Sequence, residues 1–217
     1  MKRILLMMGA VIVSLGVSAQ ISFWDNGRPE ECVSLGVRAG IDISSINADD
    51  IFGIKSKTGF FGGVSADFRI INSFAVNTGV FFAQKGYKTQ LVTATEQSMV
   101  DFHATANFIE VPVYASYRVS PDEDNSFQIF AGPYFDFGVY GKMKAKGHIA
   151  GTEIEPSVDL FKGDYGYRRF QVGIGVGGAY TYQHVTLSAS YQWGITDVSR
   201  NSDAKWGNAC ITLGYNF

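Results

Sequence analysis

Few residues in this 217-residue chain could do chemistry. Of its three histidines, only His103 has an acid close by, in Asp101-Phe102-His103. That is a possible general acid–base pair, but Thr105 is no evident nucleophile beside it. His148 and His184 stand apart, and no two histidines have metal-ligand spacing. No catalytic residue, metal or cofactor is therefore expected. Cys32 and Cys210 are offset too far along their segments for a disulfide, even in an oxidising compartment. Residues 141–147 carry Lys142, Lys144 and Lys146, a basic run suited to phosphate groups. The charges that most invite a role are Arg38, Asp67, Arg69, Glu110, Arg118, Asp136 and Arg169, because each falls on the polar beat of an alternating pattern.

That pattern has a period of two and predicts strands. In residues 33–43 every odd position is apolar and every even one is polar or Gly. The same alternation recurs over 60–69, 74–83, 108–119, 127–139, 169–180, 185–195 and 210–217, giving eight strands and no helix. Pro112 costs a ladder bond, so a bulge is expected there. The intervening segments alternate in length: 44–57, 88–104, 141–165 and 197–205 are long, whereas 70–73, 120–126 and 181–184 are short. In an up-and-down sheet this puts the long loops, with His103 and His148, on one rim and the tight turns on the other, as in outer-membrane barrels.

The N-terminus reads as an export address. Lys2 and Arg3 precede an apolar run, and Val17-Ser18-Ala19 is a small-residue cleavage site before Gln20. The run is short for a bilayer span, which needs about 20 apolar residues. Residues 1–19 are expected to be a signal peptide, 20–32 a periplasmic lead, and 33–217 a β-barrel in a Gram-negative outer membrane. Charged residues make up 18% and aromatics 14%, which excludes a disordered chain and a coiled coil, and the net charge of −2 disfavours nucleic acid as a partner.

A soluble eight-stranded barrel would carry its large apolar groups inside and charges outside. Here the polar face is small, Gly-rich and nearly neutral, with five cations (the four arginines named above and Lys85) and four anions (Asp42 and the three acids named above). Such a face fills a narrow lumen well and leaves the apolar face to lipid. The fold class is thus all-β, an eight-stranded antiparallel up-and-down transmembrane barrel. Charges in a confined lumen must be paired, so the seven-residue set is read as an interior polar network that plugs the barrel, with Glu110 paired to Arg38, Arg69 or Arg118. The expected function is non-enzymatic: a structural or interaction protein with its outer loops as contact surface. The alternatives are a small or gated porin-like pore and a rim-located enzyme acting on lipid or peptide. Expected partners are outer-membrane lipids, lipopolysaccharide through the basic run, and the barrel-assembly machinery during biogenesis.

Several segments resemble the PorT-like outer-membrane β-barrel family. Residues 79–88 (GVFFAQKGYK) are similar to its third-strand motif and 107–117 (NFIEVPVYASY) to its fourth-strand motif. Residues 131–134 (AGPY), 172–178 (VGIGVGG) and 191–196 (YQWGIT) follow in the family's order. The resemblance spans about residues 33–217 and implies an outer-membrane barrel. It also implies a possible accessory role in a protein-secretion apparatus, to which no particular residue here points. Tyr215-Asn216-Phe217 resembles a barrel-assembly signal, although Gly214 departs from the usual glycine position.

The alternation of connections generates a topology test. Tags inserted at Ala48, Thr95 and Glu153 should be labelled on intact cells, and a tag at Asp124 only after permeabilisation. The opposite sidedness would reverse the orientation.

Overall fold

The computed structural model describes residues 27, 29, 31–47, 53–92, 99–120, 124–149, 152–154, 157–162, 166–199 and 203–217. The expected signal peptide, most of the expected N-terminal lead, Ala48 and Thr95 lie outside them. The strands are β1 (Val33–Asn47), β2 (Lys55–Ile71), β3 (Phe74–Val92), β4 (Met99–Val119), β5 (Asn125–Ile149), β6 (Thr152–Ile154), β7 (Ser157–Asp159), β8 (Phe170–Tyr182), β9 (Val185–Gly194) and β10 (Lys205–Asn216). No helix occurs among the described residues.

Eight of these strands close into an antiparallel barrel. Each pairs with its sequence neighbour, β5 pairs with β8, and β1 meets β10 from Gly36↔Asn216 to Asn47↔Lys205. The short β6 and β7 fold back onto the end of β5. Closure leaves no free edge, the condition for strands to cross hydrocarbon.

The alternation sets the two faces as expected. Leu35, Val64, Ile129, Leu187 and Leu213 point outward and are exposed, while Ser65, Asn77, Gln128 and Thr212 point inward and are buried. Aromatic rings ring the outer face near the tight turns, with Phe127 4.9 Å from Tyr180 and Phe74 6.4 Å from Tyr117. A second set lies toward the long loops, with Phe137 5.2 Å from Phe170 and Tyr191 4.6 Å from Trp193. Two such girdles bound an apolar band.

Two expectations need correction. First, the long loops are shorter than the alternation implied, because the strands run on. A membrane strand needs only about 9–11 residues, yet β4 has 21 and β5 has 25. His103 and His148 therefore lie in strands. Above the apolar band the outer face turns polar while Tyr87, Ala104, Ala106 and Phe108 turn inward into an apolar cluster, so the apolar-out, polar-in pattern is lost while backbone pairing continues. Second, the register slip between β4 and β5 falls at Asn107/Phe108, opposite Tyr140 and Gly138, and not at Pro112. Val139 is the extra residue. It reverses the parity of β5, so Gly141 is buried while Lys142 and Lys144 face out.

The tight turns are residues 72–73 and 183–184, joined at the same rim by the β4–β5 connection. The described part of the lead runs along this rim, where Arg69 N donates to Cys32 O at 2.8 Å. Cys32 is exposed and Cys210 is buried opposite Asp42, far along β1, and both thiols are free.

The face assignment can be tested by charge. Val113→Arg or Leu187→Arg, on the lipid face, should cost assembly about 2–4 kcal/mol near the midplane. Gln128→Leu, on the inner face, should cost about 1 kcal/mol for a lost hydrogen bond. The check is urea titration of folded protein in vesicles, read by heat-modifiable gel migration.

Candidate functional site

The interior is stacked in tiers along the barrel axis. Three inward positions of β8 are glycine, and they give the rings opposite them room. A Cβ at Gly173 would lie 2.3 Å from the Tyr134 hydroxyl, one at Gly175 2.5 Å from the Tyr114 hydroxyl, and one at Gly177 2.5 Å from Phe130. The stacked pairs Tyr114–Phe130 and Phe61–Phe81, with centroids 5.3 and 4.9 Å apart, form a middle tier. Toward the long loops, Tyr87, Phe108, Leu160, Val198 and Trp206 form an apolar cap. The Tyr87 and Tyr167 hydroxyls meet there at 2.8 Å.

Between cap and middle tier sits Lys85, on β3, fully buried. Glu110 and Asp136 stand directly opposite each other on β4 and β5, a like-charge pairing that destabilises a sheet by itself. The Lys85 ammonium bridges them, 3.0 Å from Glu110 Oε2 and 2.7 Å from Asp136 Oδ2. It also lies 4.7 Å from the centre of the Tyr134 ring. The chain of contacts then crosses the lumen. Gln192 Nε2, on β9, donates to Glu110 Oε1 at 2.6 Å, and the Asn208 side-chain amide, on β10, lies 3.1 Å from Gln192 Oε1 and 2.9 Å from the Lys85 ammonium. Asp42 on β1 completes this half of the lumen, with Oδ1 buried and without a partner.

The other half is basic. Arg38 on β1 and Arg118 on β4 each reach Asp67 on β2 at 3.6 Å. Asn77 Nδ2 donates to Asp67 Oδ1 at 2.7 Å, and Gln128 Nε2 donates to Asn77 Oδ1 at 3.2 Å. Arg69 lies beyond them at the tight-turn end, in no ion pair among the described residues. The small void between the tiers, lined by Arg38, Glu110 and Gln192, has a volume of about 40 Å³.

The seven residues singled out by alternation therefore separate into groups. Arg38, Asp67 and Arg118 meet, and Arg69 lines the same end. Glu110 and Asp136 meet in the other half, and Glu110 pairs with Lys85 rather than with an arginine. Arg169 is not in the lumen. It precedes β8, is exposed, donates to the Gly138 carbonyl at 3.0 Å and lies over the Phe161 ring. Parity assigned it inward, but parity holds only inside a strand. Lys85, at the centre, is absent from that set. Its inward position was legible from the period of β3, but its reach to two other strands was not.

On the outer face, beyond the apolar band, registers align another set. Lys55 pairs with Lys88, Lys88 with His103, and His103 with Lys144, so four basic residues lie side by side across β2–β5. Lys57 crosses toward β4 and donates to the Thr105 hydroxyl. Asp101 and His103 lie on β4 opposite Lys146 and Lys144 of β5.

A closed eight-stranded barrel with an apolar exterior and a charge-paired interior is a transmembrane β-barrel. Residues 19–200 match the family model described as outer membrane protein beta-barrel domain, and the chain belongs to that family of outer-membrane proteins. No curated protein matches it. Among solved structures it is similar to Ail, the attachment invasion locus protein of Yersinia pestis, at 19% identity over 85% of this chain and 98% of that one, with a TM-score of 0.43. It is similar to Neisserial surface protein A at 16% identity over 86% and 100%, with a TM-score of 0.45. It is similar to OprG from Pseudomonas aeruginosa at 10% identity over 89% and 99%, with a TM-score of 0.41.

The Lys85 bridge makes a stability prediction. Lys85→Met strands two buried carboxylates and should cost about 3–5 kcal/mol. Adding Glu110→Gln and Asp136→Asn to it should recover most of that loss. Urea unfolding of the single and triple variants is the check.

Proposed function

We propose that this outer-membrane barrel is a non-enzymatic interaction protein whose lumen does not conduct ions. The observation that carries the closed lumen is the chain from Lys85 through Glu110 and Gln192 to Asn208, which runs from one wall to the opposite one. An eight-stranded interior is just wide enough for its own side chains, and breaking this chain would expose paired charges in a confined space.

The contact surface in this reading is the part of β2–β5 that extends past the apolar band. Lys88 and Lys144, exposed on either side of His103, present positive charge outward in this row, a surface that suits an external polyanion. Asp101 and Asp159 neighbour this surface but do not interrupt the row. Phosphate groups of lipopolysaccharide fit its place just above the bilayer, at about 1 kcal/mol per lysine by analogy with anionic lipid surfaces. Within the family, the motifs at 79–88 and 107–117 favour the PorT-like branch.

In planar bilayers the purified protein should show no steady conductance, and large ion-selective currents would favour the pore instead. Lys88→Glu with Lys144→Glu should weaken binding to vesicles containing lipopolysaccharide by at least tenfold while leaving folding intact. Unchanged binding would remove the basic row from the contact surface.

A further inference from the structure

The described lumen is neutral in total but divided along its axis. Lys85 shares the long-loop half with three acids, Asp42, Glu110 and Asp136. In the tight-turn half three arginines, Arg38, Arg69 and Arg118, share one acid, Asp67. Within the lumen these arginines outnumber their one carboxylate, and the two further acids at this end, Glu31 and Asp124, stand exposed at the rim. The Nε atoms of all three arginines are buried and without hydrogen-bond partners, and buried donors are rarely left so.

This basic half opens into a cavity of about 540 Å³ at the tight-turn rim, with Arg69 and Arg118 in its wall. The size is that of a small-molecule site. Its remaining wall is mostly hydroxyl and amide, with Ser34, Thr181 and Asn216 among the lining residues, beside His184 and Phe217. Glu31 and Asp124 line it too, and both are exposed. A ligand with one anionic end and a neutral polar end would thus direct its anion toward the arginines.

From this arrangement we infer that the tight-turn vestibule binds a small, hydrophilic phosphate monoester, with its phosphate held by Arg69 and Arg118. A phosphate monoester carries about −1.5 to −2 charge at neutral pH and three strong acceptor oxygens, enough to engage both guanidinium groups at once, whereas a single carboxylate offers fewer acceptors. Guanidinium forks suit phosphate oxygens. The cavity exceeds a bare phosphate, and its polar wall suits a polyol rather than an acyl chain. The site lies at the opposite end of the barrel from the lysine row, so neither reading depends on the other.

The test is calorimetric titration of the refolded full barrel in maltoside micelles, whose headgroup is uncharged, with glycerol 3-phosphate at constant ionic strength and glycerol as the neutral probe. Arg69 holds no ion pair among the described residues, so Arg69→Gln leaves the network intact, and heat-modifiable migration verifies its fold. Saturable binding of glycerol 3-phosphate is expected. It should weaken at least tenfold in Arg69→Gln and in Arg118→Gln and stay unchanged in Arg169→Gln at the far rim, and glycerol should not bind. Absence of saturable binding, equal affinity in Arg69→Gln, or equal binding of glycerol overturns the proposal.

Discussion

A peptide chain inside hydrocarbon has no water to satisfy its amides, and this constraint governs the rest of the molecule. Strands meet it only by closing on themselves, which here happens where β1 meets β10 and β4 meets β5. Closing at eight strands leaves an interior barely wider than two side chains. Most inward charges therefore meet a partner from another strand, as Lys85 meets Glu110 and Asp136, and Asp67 meets Arg38 and Arg118. Glu110 and Asp136, forced opposite each other by register, would repel without the Lys85 ammonium between them. The glycines of β8 follow from the same narrowness, since Tyr114, Phe130 and Tyr134 occupy the space their side chains would take.

The tiers also divide the lumen by polarity. The long-loop half is closed by an apolar cap and a cross-lumen hydrogen-bonded chain, and its polar groups are largely spent on one another. The tight-turn half keeps an open vestibule, with Arg69 and Arg118 in its wall. The outer face has a parallel division. Apolar side chains occupy the band between the aromatic girdles, and the lysine row begins where the strands leave it. The single extra residue at Val139 links these levels, because it turns Lys142 and Lys144 outward while Asp136 still faces in.

Much of the fold was legible in the residues. A period of two marks the lipid face strand by strand, since a one-residue slip would put every apolar side chain into the lumen. The order of long and short connections determines which turns share a rim. The upper halves of β3, β4 and β5 were not legible, because there the outer face turns polar and the inner face apolar, which removes the apolar-out pattern that marks the lower strands. The candidate site was half legible. Alternation identifies Arg38, Asp67, Arg118, Glu110 and Asp136 as inward, but who meets whom depends on register and on distance across the barrel. Glu110 therefore seemed open to three arginines when its partner is Lys85, and Arg169 was counted inward from a strand that starts one residue later, at Phe170.

The central claim is that the Lys85 ammonium is locked between two carboxylates and sealed from water. Nuclear magnetic resonance of the lysine Nζ protons in the refolded, nitrogen-labelled protein tests it directly. The account predicts one ammonium resonance, assigned by its loss in Lys85→Met, that exchanges slowly with solvent near neutral pH and shows through-space contacts to the Tyr134 ring. A Lys85 ammonium exchanging as fast as the surface lysines would mean a hydrated, open lumen and would contradict it.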